Sequence, residues 1–169
     1  MDNDDVLFNA IETFSKSISK EPFGLVYYRP DKESIVTDCI SNVSNFVKRY
    51  GGSVIYGWYF GHRVSEKYGD YLIATYHAVW RAPNGKLIDI TPFHENLKHQ
   101  PLTSQGSVLF QVDTKAQPIK HGRLIIPRPL KFYPILKSEE LKEYIKTLEE
   151  QEAFYYKVKF GIKITYSNK

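Results

Sequence analysis

The chain of 169 residues contains a single cysteine, Cys39. One sulfur excludes an intrachain disulfide, a Cys-x-x-Cys redox pair and a zinc site that is built from several thiolates. The sequence also lacks a glycine-rich phosphate-binding loop, so nothing in it indicates a nucleotide site. Any thiol chemistry must therefore involve Cys39, and we expect no cofactor.

Long apolar runs and blocks of like charge are also missing. No segment reaches the length of a transmembrane helix, and the acidic beginning MDNDDVLFNA lacks the basic and apolar regions of a signal peptide. The net charge of +4 comes from 23 basic and 19 acidic residues that are interspersed along the chain. Such a distribution does not indicate a nucleic-acid-binding surface. We therefore expect a cytoplasmic protein without a nucleic-acid or membrane partner.

The chain does have a large apolar and aromatic content. Hydrophobic residues make up 42% and aromatic residues 15% of the sequence, which is enough for a sizeable core in a chain of this length. Internal repeats and low-complexity linkers are absent from the sequence. We therefore expect a single domain over residues 1–169.

Three segments carry apolar residues at helical spacing. A helix over roughly residues 4–19 is predicted by the stripe of Leu7, Ile11, Phe14 and Ile18. A second helix should begin near Thr37 or Asp38, which are good N-cap residues, and should end at Gly51 and Gly52. Ser138 is a suitable cap for a third helix, whose apolar stripe contains Leu141, Tyr144, Ile145 and Leu148.

Other segments have the composition or the alternation of strands. Residues 25–28 read as a loop or short strand, and the segments SVIYGWYF, SVLFQVD and GRLIIPR as further strands. The polar stretches 61–70 and 92–107 are predicted as loops between them. From Phe154 to Ile164 apolar residues alternate with lysines, which predicts a long half-buried strand. Helices that flank mainly hairpin-connected strands predict an α+β domain, with an antiparallel sheet packed against helices.

The segment TYHAVWRAPNGKLIDITP, residues 75–92, predicts two strands around a tight turn, with His77 on the first and Asp89 on the second. A two-residue Asn-Gly turn would put these two side chains on opposite faces of the sheet. A three-residue turn with Gly85 in the left-handed conformation pairs Val79 with Asp89 instead, so that His77 and Asp89 become diagonal neighbours on one face. Pro83 favours this three-residue turn, because proline suits the first central position of a type I turn. A carboxylate beside one ring nitrogen orients a histidine and leaves the other nitrogen for acid–base chemistry, although many such pairs are only structural.

Cys39 falls at the predicted start of the second helix. Unpaired backbone N–H groups and the helix dipole at such a position favour the thiolate, which is the nucleophilic form of cysteine. A free cysteine often only fills space in a core, but the buried stripe of this helix is already supplied by larger apolar residues. Together with His77 and Asp89, the chain therefore contains a candidate nucleophile, a candidate base and a residue that orients the base.

A cysteine that opens a helix, a strand with HAVW and a next strand with DITP resemble the transglutaminase-like branch of the papain-like cysteine hydrolases, in which the three residues come in this chain order. The longer pattern also resembles that of poorly characterised bacterial proteins. The resemblance covers residues 35–92 as a catalytic core, between an N-terminal helix and loop (1–34) and additional strands with a C-terminal helix (93–169). It implies a papain-like fold with Cys39 as nucleophile at a helix N-terminus, His77 as general base and then acid, and Asp89 as the residue that orients His77.

This resemblance implies a thiol-dependent acyl hydrolase or acyltransferase of the peptidase, amidase or glutamine deamidase/transglutaminase type. Its substrate would be an amide in a protein, a peptide or a small molecule. For the oxyanion, the backbone N–H of Cys39 is the first candidate donor, and a side chain among Tyr27, Tyr28 and Asn42 is the second. Trp58 is a candidate wall of a substrate cleft, although each of these side chains also suits a structural role. The alternative is a noncatalytic protein-binding module on the same scaffold.

The segment HENLKH does not form a zinc motif. Its two histidines, His94 and His99, are five residues apart, whereas the metalloprotease motif needs a spacing of four on one helix face. We therefore expect no metal site.

Overall fold

The computed structural model describes residues 3–94, 103–104 and 106–166. The fold class is α+β with three helices and a mostly antiparallel sheet, as the sequence predicts. In chain order, the elements within the described residues are α1 (Asn3–Ile18), β1 (Phe23–Tyr28), α2 (Cys39–Tyr50), β2 (Ser53–Ser65), β3 (Gly69–Arg81), β4 (Leu87–Asp89), β5 (Thr103–Ser104), β6 (Ser107–Val112), β7 (Ile119–His121), β8 (Leu124–Ile126), β9 (Lys131–Pro134) and α3 (Glu139–Phe160).

Five strands of the main sheet form a closed ring. Their order is β1-β4-β3-β2-β6, and β1 also pairs with β6, so that each of the five has a neighbour on both sides. All pairings in the ring are antiparallel except that of β1 with β4. β5 pairs with β6, β9 pairs with β3, and β7 and β8 form a separate two-stranded sheet. The ring therefore holds the strands that carry His77 and Asp89 next to each other.

The two faces of the ring bury different side chains. The inner face contains a cluster with Val26, Tyr59, Val79, Val108 and Phe110. The outer face is covered by α1 and α2, each of which contributes a buried apolar stripe. α3 packs against the first part of β3, where β3 extends beyond the ring beside β9. The core therefore lies on both sides of β2 and β3, the two longest strands.

The α2 helix begins and ends where the sequence predicts. Asp38 is the N-cap residue, and its carboxylate accepts a hydrogen bond from the Ser41 N–H at 3.3 Å. At the other end, the Gly51 N–H donates to the Val47 carbonyl, and the φ of Gly51 is +74°, a conformation that glycine adopts without strain. Since the cap is Asp38, Cys39 is the first residue of the helix.

The prediction of a strand from Phe154 is wrong, because α3 continues to Phe160. Leu141 and Tyr156 are buried on one face of this helix, whereas Phe154 and Val158 are each 68% exposed. The buried residues of this segment therefore recur at helical spacing. The alternation of apolar residues from Phe154 does not mark a buried face. The predicted cap is confirmed, since the Ser138 side chain accepts from the N–H of Leu141.

The prediction of a loop over residues 61–70 is also wrong. β2 runs to Ser65 and β3 begins at Gly69, so that the two strands are joined by only three residues. The polar residues of this segment lie on a two-stranded extension of the sheet, and His62 and Asp70 pair there across the strands. Much of the predicted loop 92–107 lies outside the described residues. Within the described part of the chain, the helices are too short or too polar to cross a membrane.

Candidate active site

The hairpin between β3 and β4 has the register that makes His77 and Asp89 neighbours. Trp80 pairs with Ile88, and the next residues follow the same register through a three-residue turn. The φ of Gly85 is +86°, which is the left-handed conformation that the predicted turn requires. His77 Nε2 lies 2.9 Å from Asp89 Oδ1. The predicted diagonal pair is therefore confirmed.

Asp89 is held from several directions. Its side chain is completely buried, and Oδ1 also accepts the N–H of Thr91 at 3.1 Å. Its carbonyl accepts the N–H of Arg29 at 2.8 Å. The contact with His77 is as short as a hydrogen bond but not aligned like one, and Oδ2 has no hydrogen-bond partner among the described residues. These contacts fix the position of the carboxyl group beside the imidazole ring.

Cys39 lies at the other side of the His77 ring. It is the first residue of α2 and is 7% exposed, it lines the same cavity as His77, and its proximity contributes to the raised pKa of the imidazole. Since Nε2 faces Asp89, Nδ1 is the nitrogen that remains for the thiol. The N–H groups of the first helical turn have no acceptor within the helix, and the positive end of the helix dipole lies at the same place. The predicted triad therefore converges in the fold.

A gap in the sheet lets Cys39 reach His77 although α2 lies on the outer face. β9 pairs with β3 over residues 71–74, and β4 pairs with it at residues 80 and 81. Residues 75–78 of β3 lie between these two partners and pair with neither. Cys39, at the start of α2, packs with Ala78 of this stretch and lines the same cavity as His77.

The charge of its neighbours raises the pKa of His77. Burial of the ring lowers the pKa, but the nearby negative charge of Asp89 and the close contacts of the ring with Asp89 and Cys39 raise it by more, so that the net pKa is well above the ordinary value of 6.5. The protonated imidazolium is the form that two acidic partners favour. The arrangement therefore favours the imidazolium form of His77 beside Asp89 and Cys39.

This shift predicts that stability falls with rising pH. A group whose pKa is raised by folding contributes its full stabilisation below its unfolded-state pKa and loses it as the pH rises through the folded-state pKa. The free energy of unfolding should therefore decrease above about pH 6.5, the ordinary histidine value. Urea denaturation at a series of pH values measures this decrease, and His77→Gln should remove it. An equal decrease in that variant would contradict the assignment.

A cavity of about 570 Å³ opens at Cys39 and His77. Its lining includes α2 from Cys39 to Lys48, part of β8 with the connection from β8 to β9, and α3. Tyr59 and Phe93 complete the lining next to the histidine, and the Tyr59 ring lies edge-on to the His77 ring at 5.4 Å. The cavity is within the size range of small-molecule sites in proteins.

The sequence does not single out Tyr59 or Phe93. Gly57 is opposite His77 in the pairing of β2 with β3, so that Tyr59 is a diagonal neighbour of His77 on the same face. A correct prediction of this register would have found it. Phe93 follows the DITP segment and stacks on the ring of Tyr28 at 4.6 Å, a contact that no local pattern shows.

The four further candidates have different surroundings. Tyr28 lies near the triad: its hydroxyl accepts the N–H of Phe93 at 3.1 Å, and burial, opposed by this hydrogen bond and reinforced by the charge of Asp89, raises its pKa. The side chain of Tyr27, the next residue on β1, is 53% exposed. Only Tyr28 therefore keeps a place close to the chemistry.

Asn42 and Trp58 are engaged in structural hydrogen bonds. The Asn42 amide nitrogen donates to the Ile35 carbonyl at 2.7 Å and to the Thr91 hydroxyl at 3.3 Å, so that both its hydrogens are used. Trp58 is 2% exposed in the cluster under α1, and its Nε1 donates to Asp113 at 2.9 Å. Trp58 does not line the cavity at Cys39. We therefore leave both residues out of the candidate site.

The described residues contain no group of three or more histidine, cysteine, aspartate or glutamate side chains that could hold a metal ion. His99, one of the two histidines in the HENLKH segment, lies outside them.

No protein-family model, no curated protein and no solved structure matches this chain.

Proposed function

We propose that this protein is a thiol-dependent acyl hydrolase or acyltransferase that acts on an amide bond through Cys39, His77 and Asp89. The observation that carries the proposal is the position of His77, with one ring nitrogen 2.9 Å from a buried carboxylate and with Cys39 beside it in the lining of the same cavity. A structural histidine needs only one such partner. Two acidic partners on the same ring, beside a cavity, suit proton transfer.

The first step would be attack by sulfur. His77 takes the proton of the Cys39 thiol, Asp89 stabilises the imidazolium that forms, and the thiolate adds to the carbonyl carbon of the amide. Negative charge then develops on the carbonyl oxygen. The backbone N–H of Cys39 points out of the first turn of α2 and is the natural donor to this oxygen.

The second step would be loss of the amine. The His77 imidazolium gives its proton to the departing nitrogen, and the carbon–nitrogen bond breaks to leave a thioester on Cys39. Water or another amine then adds to the thioester, again with His77 as base, and the free thiol is restored. Hydrolysis and transfer differ only in this acceptor, which enters through the same cavity.

The fold supports the same assignment. A nucleophile at a helix N-terminus, packed against adjacent antiparallel strands that carry the histidine and the aspartate in that order, is the arrangement implied by the transglutaminase-like branch of the papain-like hydrolases. We therefore extend the proposal to a papain-like core formed by α2, β2, β3 and β4. The substrate would be a protein, a peptide or a small amide.

A noncatalytic protein-binding module is the second candidate, and the burial of Cys39 favours it. The residue is 7% exposed and packs with Val43, Ala78 and Ile90, as a cysteine that only fills the core would. The two candidates make opposite predictions for the reactivity of the thiol.

We expect Cys39 to react faster with 2-chloroacetamide in the folded protein than in the urea-unfolded chain at about pH 7. An unassisted thiol, with an ordinary pKa near 8.5, is mostly protonated at this pH, and burial can only slow it further. If His77 accepts the thiol proton, the folded protein should instead react faster than the unfolded chain. Because the chain has one cysteine, intact mass measured against time reports this residue alone. A slower reaction in the folded state would contradict the enzymatic proposal and favour the noncatalytic binding module.

A further inference from the structure

We propose that the substrate carries an aromatic or branched aliphatic group beside the amide bond that is cleaved. This inference rests on the proposed function and deepens it. The cavity at Cys39 has two chemically different walls. The catalytic wall contains the first turn of α2 and His77. The second wall, defined here as the apolar wall, consists of the lining residues Ile125, Pro127, Leu130, Tyr155 and Tyr156.

The charged residues beside the apolar wall hold the main chain. Arg128 Nε donates to the carbonyl of Gln117 at 2.7 Å, and the Glu152 carboxylate accepts the N–H of Leu130 at 3.0 Å. On the catalytic side, the carboxylate of Asp38 caps α2. Arg128 and Glu152 are thus used in building the structure, so that the surface that the apolar wall offers to a ligand is mainly apolar.

Two large side chains of the apolar wall are exposed at its rim. Ile125 is 57% exposed and Tyr155 is 46% exposed, and both face the cavity. Covering such surface is favourable in proportion to the apolar area removed from water. The volume of about 570 Å³ is far more than a bare amide group fills and is in the range of sites for whole organic molecules. An apolar group next to the amide would fill this space.

Exposure alone does not distinguish these residues from their neighbours. Leu124 is 54% exposed and Phe154 is 68% exposed, but neither lines the cavity. The chain therefore offers two adjacent pairs, Ile125 with Leu124 and Tyr155 with Phe154, in which one member belongs to the apolar wall and the other serves as a control.

The test compares 2-chloroacetamide with N-benzyl-2-chloroacetamide. In both reactions the sulfur of Cys39 forms a bond to carbon, chloride leaves, and the thiol proton passes to His77. Each rate is divided by the rate of the same probe with glutathione. We expect the benzyl probe to be favoured by about tenfold, which corresponds to about 1.4 kcal/mol. Ile125→Ser should bring the ratio towards one, whereas Leu124→Ser should leave it unchanged.

Tyr155→Ala and Phe154→Ala repeat the comparison on α3, in case the first pair disturbs the hairpin of β7 and β8. The inference is overturned if the wild-type ratio is near one, or if the wall variant and its control lower the ratio equally in both pairs. That failure differs from failure of the proposed function, in which reaction with both probes would not depend on His77.

Discussion

Replacement of His77 by alanine should slow the reaction of Cys39 with 2-chloroacetamide by about 10²–10⁴-fold at about pH 7, the range for loss of a positioned acid–base group. The imidazole is the group that accepts the thiol proton, and its pKa lies above the ordinary value because Asp89 and Cys39 outweigh the effect of burial. Without the ring, the thiol loses the group that accepts its proton. Intact mass measured against time gives the rate.

The matched control is His62→Ala. His62 lies on β2, pairs with Asp70 at 3.0 Å across the same two strands, and is remote from the cavity at Cys39. This variant removes a histidine–aspartate pair without touching the proposed chemistry, so that the labelling rate should stay within about twofold of wild type. Loss of His77 also leaves buried Asp89 without its partner, which is destabilising, so circular dichroism must show that the variant is folded. Equal rates in wild type and a folded His77→Ala protein would contradict the triad.

The geometry of the pair was predictable because a tight turn fixes it locally. Once Gly85 takes the left-handed conformation, the pairing of Trp80 with Ile88 follows, and the alternation of strand side chains then puts His77 and Asp89 on one face. Only about a dozen residues decide this outcome. The start of α2 was equally local, because Asp38 alone caps the helix and makes Cys39 its first residue.

The cavity depends on contacts between distant parts of the chain, and these were not predictable. The free edge at residues 75–78 exists because β9 pairs with one part of β3 and β4 with another. The apolar wall of the cavity consists of residues that follow Cys39 by more than 80 positions. Turn chemistry and periodicity carry no information on such pairings, which are decided by tertiary packing.

The error in the last third of the chain has a related cause. From residue 154 the sequence fits both periods, since every second residue is apolar and Tyr156 also continues the stripe of Leu141 and Ile145. A helix already running from Ser138 extends by one hydrogen bond per residue, whereas a new strand needs a partner. Nothing within residues 154–160 interrupts the helix, so the helical period prevails.

Substitution of Gly57 by alanine should destabilise the fold by about 3 kcal/mol or more, as overpacking without room to relax does. Gly57 lies in the closed ring of strands, opposite His77 on β3 and opposite Val112 on β6. A Cβ atom at this position would be 2.0 Å from the carbonyl oxygen of Gln111 and 2.6 Å from the ring of Phe110. The first of these is backbone, so β2 and β6 would have to separate. Urea denaturation measures the loss.

Gly24→Ala is the control, because Gly24 lies on β1 of the same ring and a Cβ there would meet nothing within 4 Å. Its effect should be within about 0.5 kcal/mol, as for other exposed positions. The substitution should also affect the candidate active site, because β2 is paired with β3 at His77 and would move when it separates from β6. In a Gly57→Ala protein that still folds, reaction of Cys39 with 2-chloroacetamide should therefore slow as well. Similar stability of the two variants would show that β2 and β6 are not in close contact at Gly57, and the closed ring would then be wrong.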